Sequence, residues 1–305
     1  MHNQHNDQWK TGLLLALSTM VLWATLPVAL ELALEVIDPI TLTWVRFFGA
    51  FLLTLSWQAY KGRLNNYKKL NSKDWWLLLI AGIFLICNYV GYIKGLEYTT
   101  PANSQILIQL APILMAMGGI FIFKEQFNRK QWLGFSILIL GLGLFFQQQL
   151  HALSSSVSTY KTGVLIMVFA AITWAAYALL QKVLHRVLSS QLILLFIYGL
   201  ASIVLFPFSH PSVVSALTPL QTTMLTYAII NTAGAYGAFA MSLHYMEASR
   251  VSAVLSLTPL GTILFVSLIA LIWPQLIPPE QLNLVSWFGA MMVVAGSMTV
   301  SLAKH

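Results

Sequence analysis

Residues 96–141 read LEYTTPANSQILIQLAPILMAMGGIFIFKEQFNRKQWLGFSILILG, and the same order of marks returns in residues 243–296. Tyr98 is followed after fourteen positions by Pro112, then by Trp132, Gly134 and Gly141. Tyr245 is followed after fourteen positions by Pro259, then by Trp287, Gly289 and Gly296. The glycines of each pair are seven apart in both places. Upstream, Gly12 and Trp23 recur as Gly163 and Trp174 with an unchanged separation of eleven. Both copies lie in long apolar stretches, so the repeated unit is a set of membrane helices.

Hydrophobic residues make up 58% of the 305 and charged residues 8%. That is more apolar surface than a soluble core of this length can hide from water. Ten runs approach the length that crosses a hydrocarbon core, roughly 11–33, 39–59, 75–96, 101–123, 132–148, 161–182, 190–208, 219–243, 249–273 and 284–302. What remains is short connectors and termini, which excludes a soluble catalytic or nucleic-acid-binding domain. The expected fold is therefore all-α and integral to the membrane, ten transmembrane helices arranged as two five-helix repeats, 1–150 and 151–305. An odd number of spans per repeat makes the second copy enter from the opposite face, so the repeats are inverted.

The net charge of +7 supports this layout by its distribution. Thirteen of the basic residues, including Lys61, Arg63, Lys68, Lys69, Lys73, Lys124, Arg129, Lys130, Lys182, Arg186 and Arg250, fall on connectors or termini of one side; Lys161 alone falls on the other. The excess of Lys and Arg on cytoplasmic loops then places both termini in the cytoplasm. The connector 124–131 carries three basic residues and its counterpart 273–286 none, yet both lead into the same Trp-x-Gly start. The Gln- and Ser-rich connector 149–160 reads as the hinge between repeats, and Pro278-Pro279 as a break before the last span.

One cysteine, Cys87, permits no disulfide within the chain. The seven histidines are scattered, and no nucleotide, metal or hydrolase motif occurs, so no cofactor is expected. The first apolar run is longer than a signal-peptide core and reads as a retained span.

Polar groups inside spans are expensive and face a bundle interior, a water-filled path or a partner. The third span carries Asn88, Tyr89 and Tyr92; the fourth carries Gln105 and Gln109, four apart and just before Pro112. Proline kinks a helix, so this pair reads either as the wall of a cavity or as inter-helix hydrogen bonds. Asn231, Tyr236, His244, Ser252 and Ser256 hold the matching region of the second repeat, and Tyr236 corresponds to Tyr89. Trp23 and Trp174 lie near mid-span and read as cavity lining or packing. Arg46, Lys94, Glu97, Glu31 and Glu35 form an expected outer polar network. Arg46 is the deepest of these and cannot easily lose its proton, so it needs a carboxylate, carbonyls or an anionic substrate. His244 titrates near neutral pH in an ordinary setting and is a candidate for proton coupling or for a simple interfacial role. The glycine pairs read as close helix packing.

These marks carry a resemblance. Leu22-Trp23-Ala24, Arg46-Phe47, Leu96-x-Tyr98 through Pro112, Lys124-Glu125 and Trp132-x-Gly134, with Ala175, Leu257-Thr-Pro259, Glu280 and Trp287-x-Gly289 in the second half, resemble tandem EamA domains of the drug/metabolite transporter superfamily. The resemblance implies ten helices in inverted repeats, a central cavity and alternating access, and many relatives export amino acids and other small metabolites. The delayed position of Glu280 departs from the pattern. The expected activity is secondary transport of a small organic metabolite, amino-acid-like or related, outward across a bacterial inner membrane. Its expected site is Trp23, Asn88, Tyr89, Tyr92, Gln105, Gln109, Trp174, Asn231 and Tyr236. Expected partners are that substrate and the bilayer, with a coupling proton, a counter-substrate or a second copy of the chain as further candidates, and no nucleic acid. The rival readings are a membrane enzyme acting on lipid head groups and a small-molecule channel.

Overall fold

A computed structural model describes residues 2–124, 128–149, 159–245, 248–277 and 282–303. Most of the 149–160 connector, Glu125, Glu247, Pro278-Pro279 and Glu280 lie outside the described residues. Among the described residues there are twelve α-helices and no strand. They are α1 (His2–Leu34), α2 (Pro39–Tyr60), α3 (Ser72–Glu97), α4 (Pro101–Leu107), α5 (Leu110–Phe123) and α6 (Arg129–Phe145) in the first repeat. The second holds α7 (Thr159–Leu184), α8 (Ser190–Leu205), α9 (Pro219–Tyr245), α10 (Ala248–Leu255), α11 (Thr258–Ile272) and α12 (Leu284–Leu302). Six stretches are by themselves helical, long and apolar enough to cross a membrane: Trp9–Leu34, Pro39–Tyr60, Ser72–Glu97, Thr159–Leu184, Ser190–Phe208 and Ala253–Ile272. The protein is an all-helical membrane protein.

The helix starts are written locally. Asn71 and Asp74 cap each other's backbone in a reciprocal box, and Asn128 with Gln131 repeats the arrangement before α6. Asp38 caps α2 by accepting from the backbone N–H groups of Ile40 and Thr41, both at 3.0 Å. Partial burial pushes the Asp38 carboxyl upward, but hydrogen bonds from Thr41 and Ile40 and the nearby His210 outweigh it and hold the group below its ordinary value.

Every core draws on both repeats. One joins Phe47, Leu78, Leu85 and Tyr89 of α2 and α3 to Tyr177, Leu192, Ile197 and Tyr198 of α7 and α8. A second joins Ile106, Phe135 and Leu138 to Ile263 and Val293. A third joins Leu30, Leu42 and Ile93 to Leu225 and Ala228 of α9. The two halves of the sequence are therefore interleaved, and any rocking motion has to divide mixed bundles rather than residues 1–150 from 151–305. Polar ties reinforce the interleaving. Arg186 pairs with Asp74 at 2.5 Å, Gln58 donates to Gln191 at 2.8 Å, and Tyr67 donates to the Leu192 carbonyl at 2.6 Å. At the other end of α2, Trp44 donates to the Ser202 carbonyl at 2.8 Å, and the backbone of His210 donates to Thr41 at 2.8 Å.

The last helices of the two repeats, α6 and α12, meet on their glycines. A Cβ on Gly134 would lie 2.8 Å from the Gly296 carbonyl, and one on Gly141 would lie 2.7 Å from the Val293 nitrogen and 2.8 Å from the Gly289 carbonyl. Reciprocally, a Cβ on Gly289 would stand 2.7 Å from the Gly141 carbonyl, and one on Gly296 would stand 2.6 Å from that of Gly134. Backbone meets backbone here, as the seven-residue spacing anticipates.

Two measurements follow from these contacts. Gly141→Leu is expected to destabilise the protein by about 1–3 kcal/mol through overpacking, while Gly143→Leu, which meets nothing within 4 Å, is expected to be neutral; melting of the purified protein in detergent separates them. Asp38→Ala is expected to cost about 1 kcal/mol at neutral pH. Because the folded carboxyl is depressed, its contribution is present above the unfolded pKa of 3.8 and is lost as pH falls through the lower folded value. The gap between wild type and variant therefore closes in acid, and a gap that stays constant across the titration would contradict this account.

Candidate functional site

The site begins with a backbone defect. Pro27 sits inside α1, has no N–H, and so leaves the carbonyl of Trp23, four residues back, without its helical donor. In lipid no water can replace that donor, so other helices must supply one. Gln105 of α4 donates to the Trp23 carbonyl at 3.2 Å. The carbonyls on either side are served in the same way. Asn231 of α9 donates to Leu22 at 2.6 Å, and Thr262 of α11 donates to Ala24 at 2.8 Å. Three helices thus converge on one turn of α1. The amides of Gln105 and Asn231, expected either to line a cavity or to bond between helices, use their N–H groups for the second purpose.

An aromatic cluster surrounds this bend. The Trp23 ring meets Tyr236 edge-on at 5.4 Å and Phe239 at 5.8 Å. The Tyr236 hydroxyl lies near the Tyr89 side chain and the Trp174 indole. Tyr89 in turn packs on Phe47 at 4.5 Å, and Phe47 on Tyr198 at 5.5 Å. Tyr92 donates to the Gln105 side-chain oxygen at 3.0 Å, tying this cluster to the bend of α1. Arg46 enters from α2. Its side chain is buried, its Nε donates to Thr232 at 3.2 Å, and its guanidinium lies 5.2 Å from the centre of the Tyr89 ring.

The two repeats place equivalent contacts around this centre. Asn88 of α3 donates to the Ala170 carbonyl of α7 at 2.8 Å. The Thr19 hydroxyl of α1, whose hydrogen goes to the Leu15 carbonyl at 2.9 Å, lies 3.4 Å from the Ala235 carbonyl of α9. Residues 88 and 235 share the offset of 147 that relates Tyr98 to Tyr245, and residues 19 and 170 share the offset of 151 that relates Trp23 to Trp174. One contact is thus made twice, with side chain and backbone exchanging roles.

The kink expected at Pro112 is a break in the helix, and a second break lies at the matching place before Pro259. Between α4 and α5 the chain turns at Ile108 and Gln109, and between α10 and α11 at Ser256 and Leu257. Pro259 deprives the Leu255 carbonyl of its helical donor, and the Thr258 hydroxyl supplies one at 2.6 Å. Ser256 bonds instead to Ser297 of α12 at 2.9 Å. Gln109 is half-buried at the first break.

The structure thus brings together Trp23, Tyr89, Tyr92, Gln105, Trp174, Asn231, Tyr236 and Arg46, with Asn88 one residue from Tyr89. It does not bring in the outer network. Lys94 and Glu97 pair with each other at 2.5 Å, with side chains 38% and 36% exposed, and Lys94 covers the Tyr98 ring at 4.7 Å. Neither pairs with Arg46. Glu31 is half-buried near the end of α1, and Glu35 is exposed beyond it. The side chains of His244 and Ser252 lie outside the described residues. Sequence reasoning missed Thr232, Tyr198, Tyr227 and Thr262. Tyr227 receives from Asn231 at 3.1 Å and hydrogen-bonds Thr25. Thr232 and Tyr227 lie beside or one helical turn from Asn231, which was the available signal. Among the described residues, no three His, Cys, Asp or Glu side chains gather as metal ligands.

The profile of the EamA-like transporter family matches residues 10–147 and again residues 161–302. The chain belongs to that family. An EamA relative from Escherichia coli K12, the uncharacterized inner membrane transporter YhbE, is 37% identical over 288 residues, 94% of this chain and 90% of that protein. An uncharacterized transporter of Haemophilus influenzae is 36% identical over 94% of this chain and 93% of its own length. A protein of known crystal structure, 15% identical, superposes with a TM-score of 0.64 over 96% of this chain and 97% of that one, which shows a shared fold alone.

The proline bend makes a coupling prediction. Gln105→Leu removes the donor to Trp23 and is expected to cost about 1 kcal/mol. In a Pro27→Ala background the restored helical N–H serves that carbonyl, so the same replacement is expected to cost less than half as much. Additive losses in a double-mutant melting cycle would show that Gln105 is not serving the proline defect.

Proposed function

We propose that this protein is a secondary active transporter that moves a small organic metabolite, amino-acid-like or related, outward across a bacterial inner membrane by alternating access. The observation that carries the reading is the convergence of Trp23, Tyr92, Gln105, Trp174, Asn231 and Tyr236, drawn from both repeats, on the bend of a membrane helix. Broken helices at matching places in two repeats are the usual frame of a transport site, and the breaks at 108–109 and 256–257 supply them. The names of the relatives from Escherichia coli and Haemophilus influenzae support a transport role. On this reading the chain crosses the membrane ten times, as inverted repeats 1–150 and 151–305 with both termini in the cytoplasm. The doubled contact made by Asn88 and Thr19 supports the inversion.

Alternating access then divides the molecule between the core of α2, α3, α7 and α8 and the core of α4, α6, α11 and α12. The helices α1 and α9 run between them, and their contact at Trp23 and Tyr236 lies at the centre of the movement.

Purified protein in proteoliposomes is expected to show saturable uptake with counterflow for some solute among amino acids, organic acids, nucleosides and sugars. Tyr236→Phe, which keeps the ring and removes the hydroxyl near Tyr89 and Trp174, is expected to lower the rate about tenfold, the effect of losing a polar contact in a desolvated site. Flux that never saturates would point to a channel. Accessibility tags that place the termini on opposite sides of the bilayer would remove the ten-crossing arrangement.

A further inference from the structure

Arg46 is 2% exposed, and its surroundings are neutral. The Nε donor reaches Thr232, whose own hydroxyl hydrogen goes to the Ala228 carbonyl at 2.7 Å. The face of Tyr89 lies against the guanidinium, and Tyr198, Tyr92 and Tyr236 lie within electrostatic range. The hydroxyls of Tyr92 and Tyr198 donate elsewhere, to Gln105 at 3.0 Å and to the Thr232 carbonyl at 3.3 Å. Arg46 takes part in neither the Lys94–Glu97 nor the Arg186–Asp74 ion pair.

A guanidinium cannot shed its proton in a protein. At membrane depth it is normally matched by an opposite charge. A ring face and a hydroxyl compensate it only in part. Among the described residues the acceptor found for the guanidinium is Thr232, at Nε.

We propose that Arg46 is the anion-binding group of the transport site, and that the substrate is a small organic acid whose carboxylate pairs with its guanidinium. This inference rests on the transporter reading above. The planar fork of the guanidinium matches the two oxygens of a carboxylate. The rings of Trp23, Trp174, Tyr236 and Phe47 stand around the same centre and offer an apolar wall to the body of the acid. Occupied, the site is electrically neutral, which suits a group that must be carried through the membrane interior.

The test titrates the full-length protein in detergent with phenylacetate, 4-methyl-2-oxopentanoate and L-phenylalanine, each beside its primary amide, following intrinsic tryptophan fluorescence. At least one acid is expected to give a saturable response, and its amide to bind at least about tenfold more weakly, as loss of a charge-assisted bidentate pair requires. Arg46→Gln is expected to bind the acid no better than the amide, with Arg46→Lys between it and wild type. Thr232→Val keeps the charge and frees Nε; it is expected to weaken acid binding several-fold with unchanged elution and melting, and it provides the readout should Arg46→Gln fail to fold. The proposal is overturned if acid and amide bind alike, if Thr232→Val and Arg46→Lys both bind acid as wild type does, or if no acid gives a saturable response. Counterflow in proteoliposomes separates the two readings. Saturable flux of uncharged or cationic solutes without acid binding removes the anion site and leaves the transporter standing, whereas no saturable flux of any solute removes both.

Discussion

The carbonyl oxygens of Leu22, Trp23 and Ala24 each accept from a side chain of another helix, and the geometry of the site follows from those bonds. A proline inside a membrane helix creates an acceptor that must be served. Here the service comes from Asn231, Gln105 and Thr262, on three other helices. Those donors fix where α4, α9 and α11 stand relative to α1. The aromatic cluster is set by the same positions, because Tyr92 is anchored through Gln105 and Tyr236 rests on Trp23. A single missing N–H thus organises much of the polar chemistry at the centre of the molecule.

The arrangement is deliberately unequal between the repeats. Position 178, which matches Pro27 under the offset of 151, is Ala178, so α7 keeps its donor. The bend belongs to the first repeat's opening helix alone, and side chains of both repeats answer it. Elsewhere the two repeats stay close to equivalent. The glycine crossing of α6 and α12 and the doubled contact of Asn88 and Thr19 are the clearest cases. Symmetry holds in those contacts and is broken at the bend of α1.

Much of the fold was legible in the chain, because its evidence is local or periodic. The apolar runs, the recurrence of Tyr98, Pro112 and Trp132 as Tyr245, Pro259 and Trp287, and the glycine spacing each lie within one stretch of sequence. The site was legible only as a set of polar residues in the wrong solvent. Which of them meet is decided by contacts such as Gln105 to Trp23 and Asn231 to Leu22, separated by 82 and 209 positions. No periodicity reports a pairing of that kind. Tyr198 was invisible for the same reason, since it is unremarkable until Arg46 and Thr232 are placed near it. Lys94 and Glu97, three apart on one helix face, pair with each other as that spacing allows.

Interleaving also has a meaning for how the molecule is made. When the first five apolar segments have left the ribosome, none of the four clusters of buried side chains is complete, because each awaits Tyr177, Leu225, Val266 or Val293. The nascent chain stands in lipid with the Trp23 and Leu22 carbonyls reaching for partners still being synthesised in part. Assembly is therefore a late event that closes around the helices of the second half, and a truncated first half is a substrate for membrane quality control rather than a smaller carrier.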